Sequence, residues 1–203
     1  FGGGGRHGRD YPAPQARQAG RPLSPLRKNP GGGTKSPRPC QTPPGHRRAA
    51  AVAASIRSHW QGHGRGERLL LSLHGIPQRL VAAGDPYASQ CEASTQAIAA
   101  ALGIAREDIM LVFQSRFGKG KWLQPDVLDT LRQLASTGVR TVDVACPGFA
   151  VDCLETLEEI AIQAAQVFQA HGGAALRYIP CLNASDAHAD ALAALALTDA
   201  GWP

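Results

Sequence analysis

The fold of this chain follows from one short apolar stretch, Leu69-Leu70-Leu71-Ser72-Leu73-His74-Gly75-Ile76-Pro77. A continuous apolar run of this length, broken by Gly75 and Pro77, is typical of a strand buried inside a parallel sheet. The break places His74 where the strand stops and a loop begins. In open α/β sheets, ligands bind at the carboxyl ends of the strands. We therefore take His74 as the first candidate for a functional residue.

The rest of the ordered sequence repeats a strand–helix pattern with short connections. Such a pattern predicts an α/β fold, an open four-stranded parallel sheet flanked by helices, with right-handed crossovers. We expect the strand order 2-1-3-4. The predicted strands are 68–73, 109–114, 140–145 and 176–180, and the predicted helices are 49–60, 89–102, 124–136, 151–171 and 185–197.

Residues 1–48 differ sharply in composition from residues 49–203. They contain ten Gly, nine Pro and ten Lys or Arg, against a single acid, Asp10. So few apolar side chains cannot offset the entropy lost on ordering, so we predict a disordered tail over 1–48. A frameshift or a misplaced start in a GC-rich gene would also produce such a segment. We expect the folded domain to span 49–203.

The charge and the cysteines exclude several classes of protein. Residues 49–203 hold eleven bases and fifteen acids, so the basic character lies in the tail and we expect no nucleic acid partner. The five cysteines form no CxxC pair, which argues against a disulfide framework. No apolar run is long enough for a transmembrane segment, and no secretory leader is visible. We therefore expect a cytoplasmic protein.

Further polar and aromatic residues follow the other predicted strands. Arg116, after the second strand, could pair with a carboxylate or a phosphate, or lie on the surface. Trp122 and Phe149 could stack on a flat ligand or pack in the core. His74 itself could be a metal ligand, a general base, or a histidine at the edge of the core.

The acids after the third strand have two interpretations. Asp152-x-x-Glu155 fits a capping box, in which the acid satisfies a free backbone N–H at a helix start. Alternatively, Glu155 and Glu159 lie four residues apart beside Glu158, and a row of carboxylates near His74 would suit a cation. Cys153 could be a soft metal ligand or a small buried residue.

Four blocks of the sequence occur in a distinctive order and spacing. The blocks are Ser72–Pro77 (SLHGIP), Phe113–Gly118 (FQSRFG), Lys121–Leu123 (KWL), and Cys146–Phe149 (CPGF) continuing into 152–159 (DCLETLEE). Together they resemble the C-terminal half of ferrochelatase, the enzyme that inserts ferrous iron into protoporphyrin IX. The form is similar to that of proteobacteria, and the resemblance covers roughly residues 49–194.

The resemblance implies a role for each candidate residue. His74 matches the catalytic histidine, as proton acceptor or iron ligand, and Glu155 matches its acidic partner on the facing helix. Glu159, with Asp152 as a further candidate, matches a line of acids proposed to carry metal or protons. Some relatives have histidine where this chain has Cys153. Trp122 and Gln114 fall where the family packs its porphyrin pocket, as the resemblance implies, and Phe149 could stack on a flat ligand. These three are the predicted substrate-binding residues.

The family's porphyrin lies between two similar Rossmann-like chelatase domains, and residues 1–48 do not resemble the N-terminal one. We therefore expect a truncated half-protein, weakly active or inactive, that starts at Phe1 as a piece of a longer product. Ferrous iron and protoporphyrin IX are the expected partners, with iron a substrate and no cofactor required. Peripheral membrane contact stays open. The alternatives are a chelatase for coproporphyrin or sirohydrochlorin, and a non-catalytic remnant that binds metal or porphyrin.

Overall fold

The computed structural model describes residues 44–197 as one α/β unit. Its strands are β1 (Arg68–His74), β2 (Ile109–Gln114), β3 (Thr141–Ala145) and β4 (Ala175–Ile179). Its helices are α1 (Pro44–His63), α2 (Gln78–Ala82), α3 (Tyr87–Leu102), α4 (Val127–Ser136), α5 (Leu154–Thr156), α6 (Ala165–Ala170) and α7 (Asp186–Leu197), with a 3₁₀ turn at Arg106–Asp108 and a π-helix at Leu157–Ala164. Over residues 44–197, no helix is both long enough and apolar enough to cross a membrane.

The four strands form one sheet in which every pair is parallel. The strand order is β2-β1-β3-β4, so β1 has a neighbour on each side. The register places Leu71 opposite Leu111 of β2 and Ala145 of β3, and it places His74 opposite Gln114. The predicted open parallel sheet and the predicted order 2-1-3-4 are both confirmed.

The leucine run of β1 is apolar throughout because both faces of the sheet are covered. Leu70 is fully buried in one core cluster with Phe168 of α6. Leu71 is fully buried in the other cluster, with Ile56 of α1. Each such leucine contributes about 1.5–3 kcal/mol by its burial. The central strand is thus anchored from both sides, which holds the position of its last residue, His74.

The first helix begins earlier than predicted. α1 starts at Pro44, whereas the sequence prediction placed its first residue at Ala49. Proline is tolerated in the first turn because its missing N–H would have no helical partner there, and arginine is a good helix former. Arg48 also donates from Nη2 to the Pro147 carbonyl oxygen at 3.0 Å. Residues 44–48, which were predicted as part of the disordered tail over 1–48, are therefore helical, and the rest of that tail, residues 1–43, lies outside the described residues.

The helix after β3 differs from the prediction in both its start and its type. It was expected as one α-helix over 151–171, but residues 151–153 precede it and α5 begins at Leu154. The segment Leu157–Ala164 is then π-helical, with α6 completing the element. π-helical segments with i→i+5 hydrogen bonds are uncommon and often occur at functional sites.

A buried ion pair joins the strands on the α1 side of the sheet. Asp143 of β3 is fully buried, and its carboxylate accepts hydrogen bonds of 2.7 Å each from Trp60 Nε1, the Gly66 amide and Arg177 Nε. Arg177 also donates to the His63 carbonyl at 2.6 Å. These bonds satisfy the buried carboxylate and connect α1 to β3 and β4.

Candidate functional site

His74 is the last residue of the central strand and is half-buried. Its Nδ1 lies 2.7 Å from the Gly75 carbonyl oxygen. A carbonyl oxygen can only accept, so Nδ1 carries the hydrogen and the Nε2 lone pair is left available to act as base or metal ligand. The Tyr87 hydroxyl donates to the His74 carbonyl at 2.8 Å, which ties the strand end to α3.

Gly75 lets the chain turn away from the sheet directly after His74. Its amide donates to the Gln114 carbonyl oxygen at 2.8 Å. A Cβ at this position would lie 2.9 Å from the same carbonyl oxygen, closer than real Cβ contacts, so only glycine fits without a shift. The Gly-Ile-Pro break seen in the sequence therefore has a steric cause at the site itself.

The helix that carries the acids is capped by residues other than those predicted. Cys153 is the N-cap residue, and its amide donates to the Thr156 hydroxyl at 3.0 Å in a capping box. The first of the two interpretations of the acids, a capping box between Asp152 and Glu155, is wrong, because the helix starts one residue later than that pattern requires. The Glu155 carboxylate nevertheless accepts a hydrogen bond from a backbone N–H at the helix start, namely its own amide.

Asp152 is committed to holding two loops together. Its carboxylate accepts from the Tyr178 hydroxyl, from the Cys181 amide at 3.0 Å and from Asn183 Nδ2 at 2.7 Å. Partial burial acts to raise the pKa of Asp152, but the hydrogen bonds from Asn183, Tyr178 and Cys181 outweigh it, so the pKa lies below its ordinary value. These three bonds give Asp152 a structural role, so we leave it out of the line of acids.

Glu155 lies in the first turn of α5. Its pKa is lowered first by the hydrogen bond from its own amide, then by a bond from the Cys153 thiol, and least by His74. The Glu155 carbonyl oxygen accepts a hydrogen bond from Gln114, which lies opposite His74 in the strand register. The structure therefore links the helical turn that carries Glu155 to the strand end that carries His74.

Glu159 is held by a residue that the sequence analysis did not select. The Ser115 hydroxyl donates to the Glu159 carboxylate at 2.6 Å. Ser115 has φ of 61°, in the left-handed region that residues with a Cβ seldom adopt. Such backbone strain collects at functional sites. The signal available in the sequence was only the position of Ser115 directly after β2.

We call the segment 154–164, which carries Glu155, Glu158 and Glu159, the acidic helix. A cavity of about 650 Å³ lies between the end of β2 and this helix. Glu158 also lines it and accepts from Gln163 Nε2 at 3.2 Å, a pair five residues apart that matches the π-helical spacing. A cavity rich in carboxylates attracts cations. Among its lining residues are Gln114, Ser115, Arg116, Phe117, Asp126, Glu155, Glu158, Glu159 and Gln163.

The predicted substrate-binding residues fall into different environments. Trp122 is half-buried and forms an isolated antiparallel β-bridge with Pro77. Its ring packs next to Gly75, so it flanks the turn after His74. Phe117 stacks edge-on against Trp122, with ring centroids 6.4 Å apart, and is 64% exposed. Phe149 packs against the main core cluster and lines a separate small cavity beside α1. Stacking of Phe149 on a ligand stays a prediction.

Gln114 is the most deeply buried of the predicted site residues, at 2% exposure. It donates from Nε2 to the Glu155 carbonyl oxygen at 2.6 Å, and its Oε1 accepts from the Ser72 hydroxyl at 2.8 Å.

Within residues 44–197, no three His, Cys, Asp or Glu side chains converge into a ready metal centre. Cys153 is half-buried at the N-cap. Among the described residues, Arg116 forms one long ion pair, with Asp126 at 3.9 Å.

Comparison with known proteins agrees with this arrangement. The chain is 60% identical to a ferrochelatase of Xanthomonas axonopodis pv. citri (strain 306), over 72% of this chain and 46% of the relative. It is 60% identical to a ferrochelatase of Methylococcus capsulatus, over 71% and 45%. It is 53% identical to a ferrochelatase of Stenotrophomonas maltophilia, over 84% and 52%. The chain spans about half the length of the curated relatives it matches.

The family model for ferrochelatase matches residues 46–200, which include every strand of the sheet and every candidate site residue. That range starts near the beginning of α1 and continues past the end of α7. The match therefore covers the same unit that carries His74 and the acidic helix. On this evidence, the chain belongs to the ferrochelatase family.

Proposed function

We propose that this chain supplies the catalytic side chains for insertion of ferrous iron into protoporphyrin IX, as one wall of a porphyrin cleft. The observation that supports the proposal is the link between the strand end that carries His74 and the helix start that carries Glu155. His74 lies opposite Gln114 in the strand register, and the Gln114 amide donates to the Glu155 carbonyl. Both residues are therefore carried by elements that meet through Gln114.

Metallation requires a base, because iron replaces the N–H protons of the porphyrin ring. His74 suits this step, because an imidazole whose Nε2 lone pair is free can accept a proton as a general base. Its Nδ1–H is held by the Gly75 carbonyl, which sets the tautomer. The proton passes from the pyrrole nitrogen to Nε2 and then to solvent or a neighbouring carboxylate.

Glu155 and Glu159 suit the handling of the metal ion before insertion. Their carboxylates are hard oxygen donors that hold a divalent iron ion without the strong retention that several thiolates would give. Ser115 fixes the Glu159 carboxylate from one side, at 2.6 Å. A row of acids leading toward His74 would guide a cation into the cleft and then release it to the ring nitrogens.

We also propose that a second half-domain forms the other wall of the porphyrin cleft. The chain spans about half of its relatives, and apolar side chains next to the site are exposed to solvent, at 64% for Phe117, 55% for Val151 and 76% for Leu154. Exposed apolar patches of this kind mark binding surfaces. We infer that a porphyrin and a second half-domain cover them in the active enzyme, and that the chain alone binds metal weakly and inserts little.

The test is zinc insertion into protoporphyrin IX, followed by fluorescence, with the full chain alone and with the N-terminal half of the Xanthomonas axonopodis relative added. We expect little or no insertion by the chain alone and clear insertion by the mixture. His74→Ala should abolish insertion, whereas His171→Ala, at an exposed histidine after α6, should leave it unchanged.

Three results would change the proposal. Robust insertion by the chain alone would contradict the need for a second wall. An unchanged rate for His74→Ala would remove His74 from the mechanism. Faster insertion into coproporphyrin than into protoporphyrin IX, in the same mixture, would change the assigned substrate.

A further inference from the structure

Gln114 connects three elements of the domain through one buried side chain. Its Nε2 donates to the Glu155 carbonyl at 2.6 Å, while its Oε1 accepts from the Ser72 hydroxyl at 2.8 Å and from the Cys146 thiol at 3.5 Å. The side chain is 2% exposed. From its place in β2, the Gln114 side chain therefore contacts Ser72 of β1, Cys146 in the loop after β3, and Glu155 in α5.

The orientation of the Gln114 amide follows from its partners. The Glu155 carbonyl oxygen can only accept a hydrogen bond, so the amide atom facing it is the nitrogen. The oxygen then faces Ser72 and Cys146, which both carry a hydrogen to donate. All three bonds are satisfied by this one orientation, whereas the flipped amide would place two acceptors in contact.

The Gln114 side chain has little left to offer a substrate. Both acceptor positions of Oε1 are used, and the atom is shielded from solvent. What the bonds do constrain is the first helical turn, because Glu155 is the second residue of α5 and its carbonyl is fixed. Gln114 is also the register partner of His74.

We propose that Gln114 is a positioning residue, whose amide sets the separation between His74 at the end of β1 and the helical turn that carries Glu155. This inference rests on the proposed function, since it concerns a pair of residues that act on metal and porphyrin. The sequence analysis predicted that Gln114 contacts the substrate, whereas in this proposal it acts by holding Glu155 in place. Partners of this kind, outside the ligand set, typically affect metal affinity by about ten- to hundredfold.

The test measures Zn²⁺ binding by the full chain in a double-mutant cycle of Gln114→Met and Glu155→Gln, by competition with a chromophoric chelator. Methionine keeps the length of the side chain and removes all three hydrogen bonds. We expect Gln114→Met to weaken the Glu155-dependent binding by about tenfold or more. In the Glu155→Gln background, the same substitution should cause no further loss, because a residue that acts through Glu155 has nothing left to position.

Two further variants keep the result interpretable. Ser72→Ala removes one donor to Oε1 and leaves the Cys146 thiol, so its loss should be smaller than that of Gln114→Met. It serves in place of Gln114→Met if that variant fails to fold by circular dichroism. Gln133→Met, at an exposed position on α4, is the matched control and should bind Zn²⁺ as the unmodified chain does.

The outcomes separate this inference from the proposed function. If Glu155→Gln weakens binding while Gln114→Met and Ser72→Ala do not, the positioning role is overturned and the proposed function stands. Equal losses from Gln114→Met in both backgrounds would mean a general structural effect, which also overturns it. If Glu155→Gln has no effect on Zn²⁺ binding, the metal-handling role of Glu155 fails, and the inference fails with it.

Discussion

Ser115 donates its hydroxyl hydrogen to the Glu159 carboxylate over 2.6 Å, from a backbone with φ of 61°. The strained residue at the end of β2 thus holds an acid of the π-helix. The hydrogen bond and the backbone conformation make separate contributions to stability, and two substitutions at the same position distinguish them.

Ser115→Ala and Ser115→Gly both remove the hydrogen bond, but only glycine adopts a positive φ without strain. We expect both variants to be less stable than the unmodified chain, with the glycine variant about 1 kcal/mol more stable than the alanine variant. Urea unfolding followed by circular dichroism measures the difference. Equal stabilities would contradict the left-handed conformation at this position.

Gly75→Ala tests the close approach between the turn after His74 and the end of β2. The added Cβ would meet the Gln114 carbonyl oxygen at 2.9 Å, and overpacking of this kind costs about 1–3 kcal/mol. Gly62→Ala is the control, because Gly62 lies in α1 with open space around its Cβ position. Alanine there should stabilise the helix by up to about 1 kcal/mol. A harmless Gly75→Ala would refute the steric argument.

Asp152 predicts a specific dependence of stability on pH. Its pKa in the folded chain is below the ordinary value of about 3.9, so it stabilises the fold above that value and loses this contribution as pH falls through the folded pKa. Asp152→Asn should therefore destabilise the chain clearly at pH 7 and progressively less toward pH 3, measured by urea unfolding. A difference that is constant from pH 7 to pH 3 would exclude this linkage.

The buried ion pair should matter more than an exposed one. Arg177→Met leaves the Asp143 carboxylate buried without its cation, which we expect to cost about 3 kcal/mol, the lower end for breaking such a pair. Arg132→Met removes the exposed pair with Asp129 and should change the free energy of unfolding by less than about 1 kcal/mol. Similar losses for the two variants would contradict this ranking.

Much of the fold could be predicted because its signals are local. The run from Leu69 to Leu73 is continuously apolar since both faces of β1 are covered, and strands with that pattern belong to parallel sheets. Gly103 and Gly138 mark the ends of α3 and α4, and both have positive φ. Repetition of strand and helix then leaves few possible topologies.

The features that were missed depend on contacts between distant residues. The π-helix leaves no mark on apolar periodicity, so 151–171 was predicted as one α-helix. The residue that looked like a cap, Asp152, instead binds Tyr178 and Asn183, in another part of the chain, and Cys153 is the N-cap of α5. The role of Gln114 likewise needs three partners that only the folded sheet brings together. The family resemblance identified His74 and Glu155, but it could not show which residues hold them in place.

The bond from Arg48 to the Pro147 carbonyl has a consequence for how a complete enzyme could be assembled. Pro147 follows β3, so the bond fixes the first turns of α1 at the same edge of the sheet as His74. A half-domain joined in front of α1 would therefore be attached near the rim of the proposed cleft. Covalent linkage there would hold a second half-domain at a high effective concentration beside its binding surface, whereas a separate chain would have to associate from dilute solution.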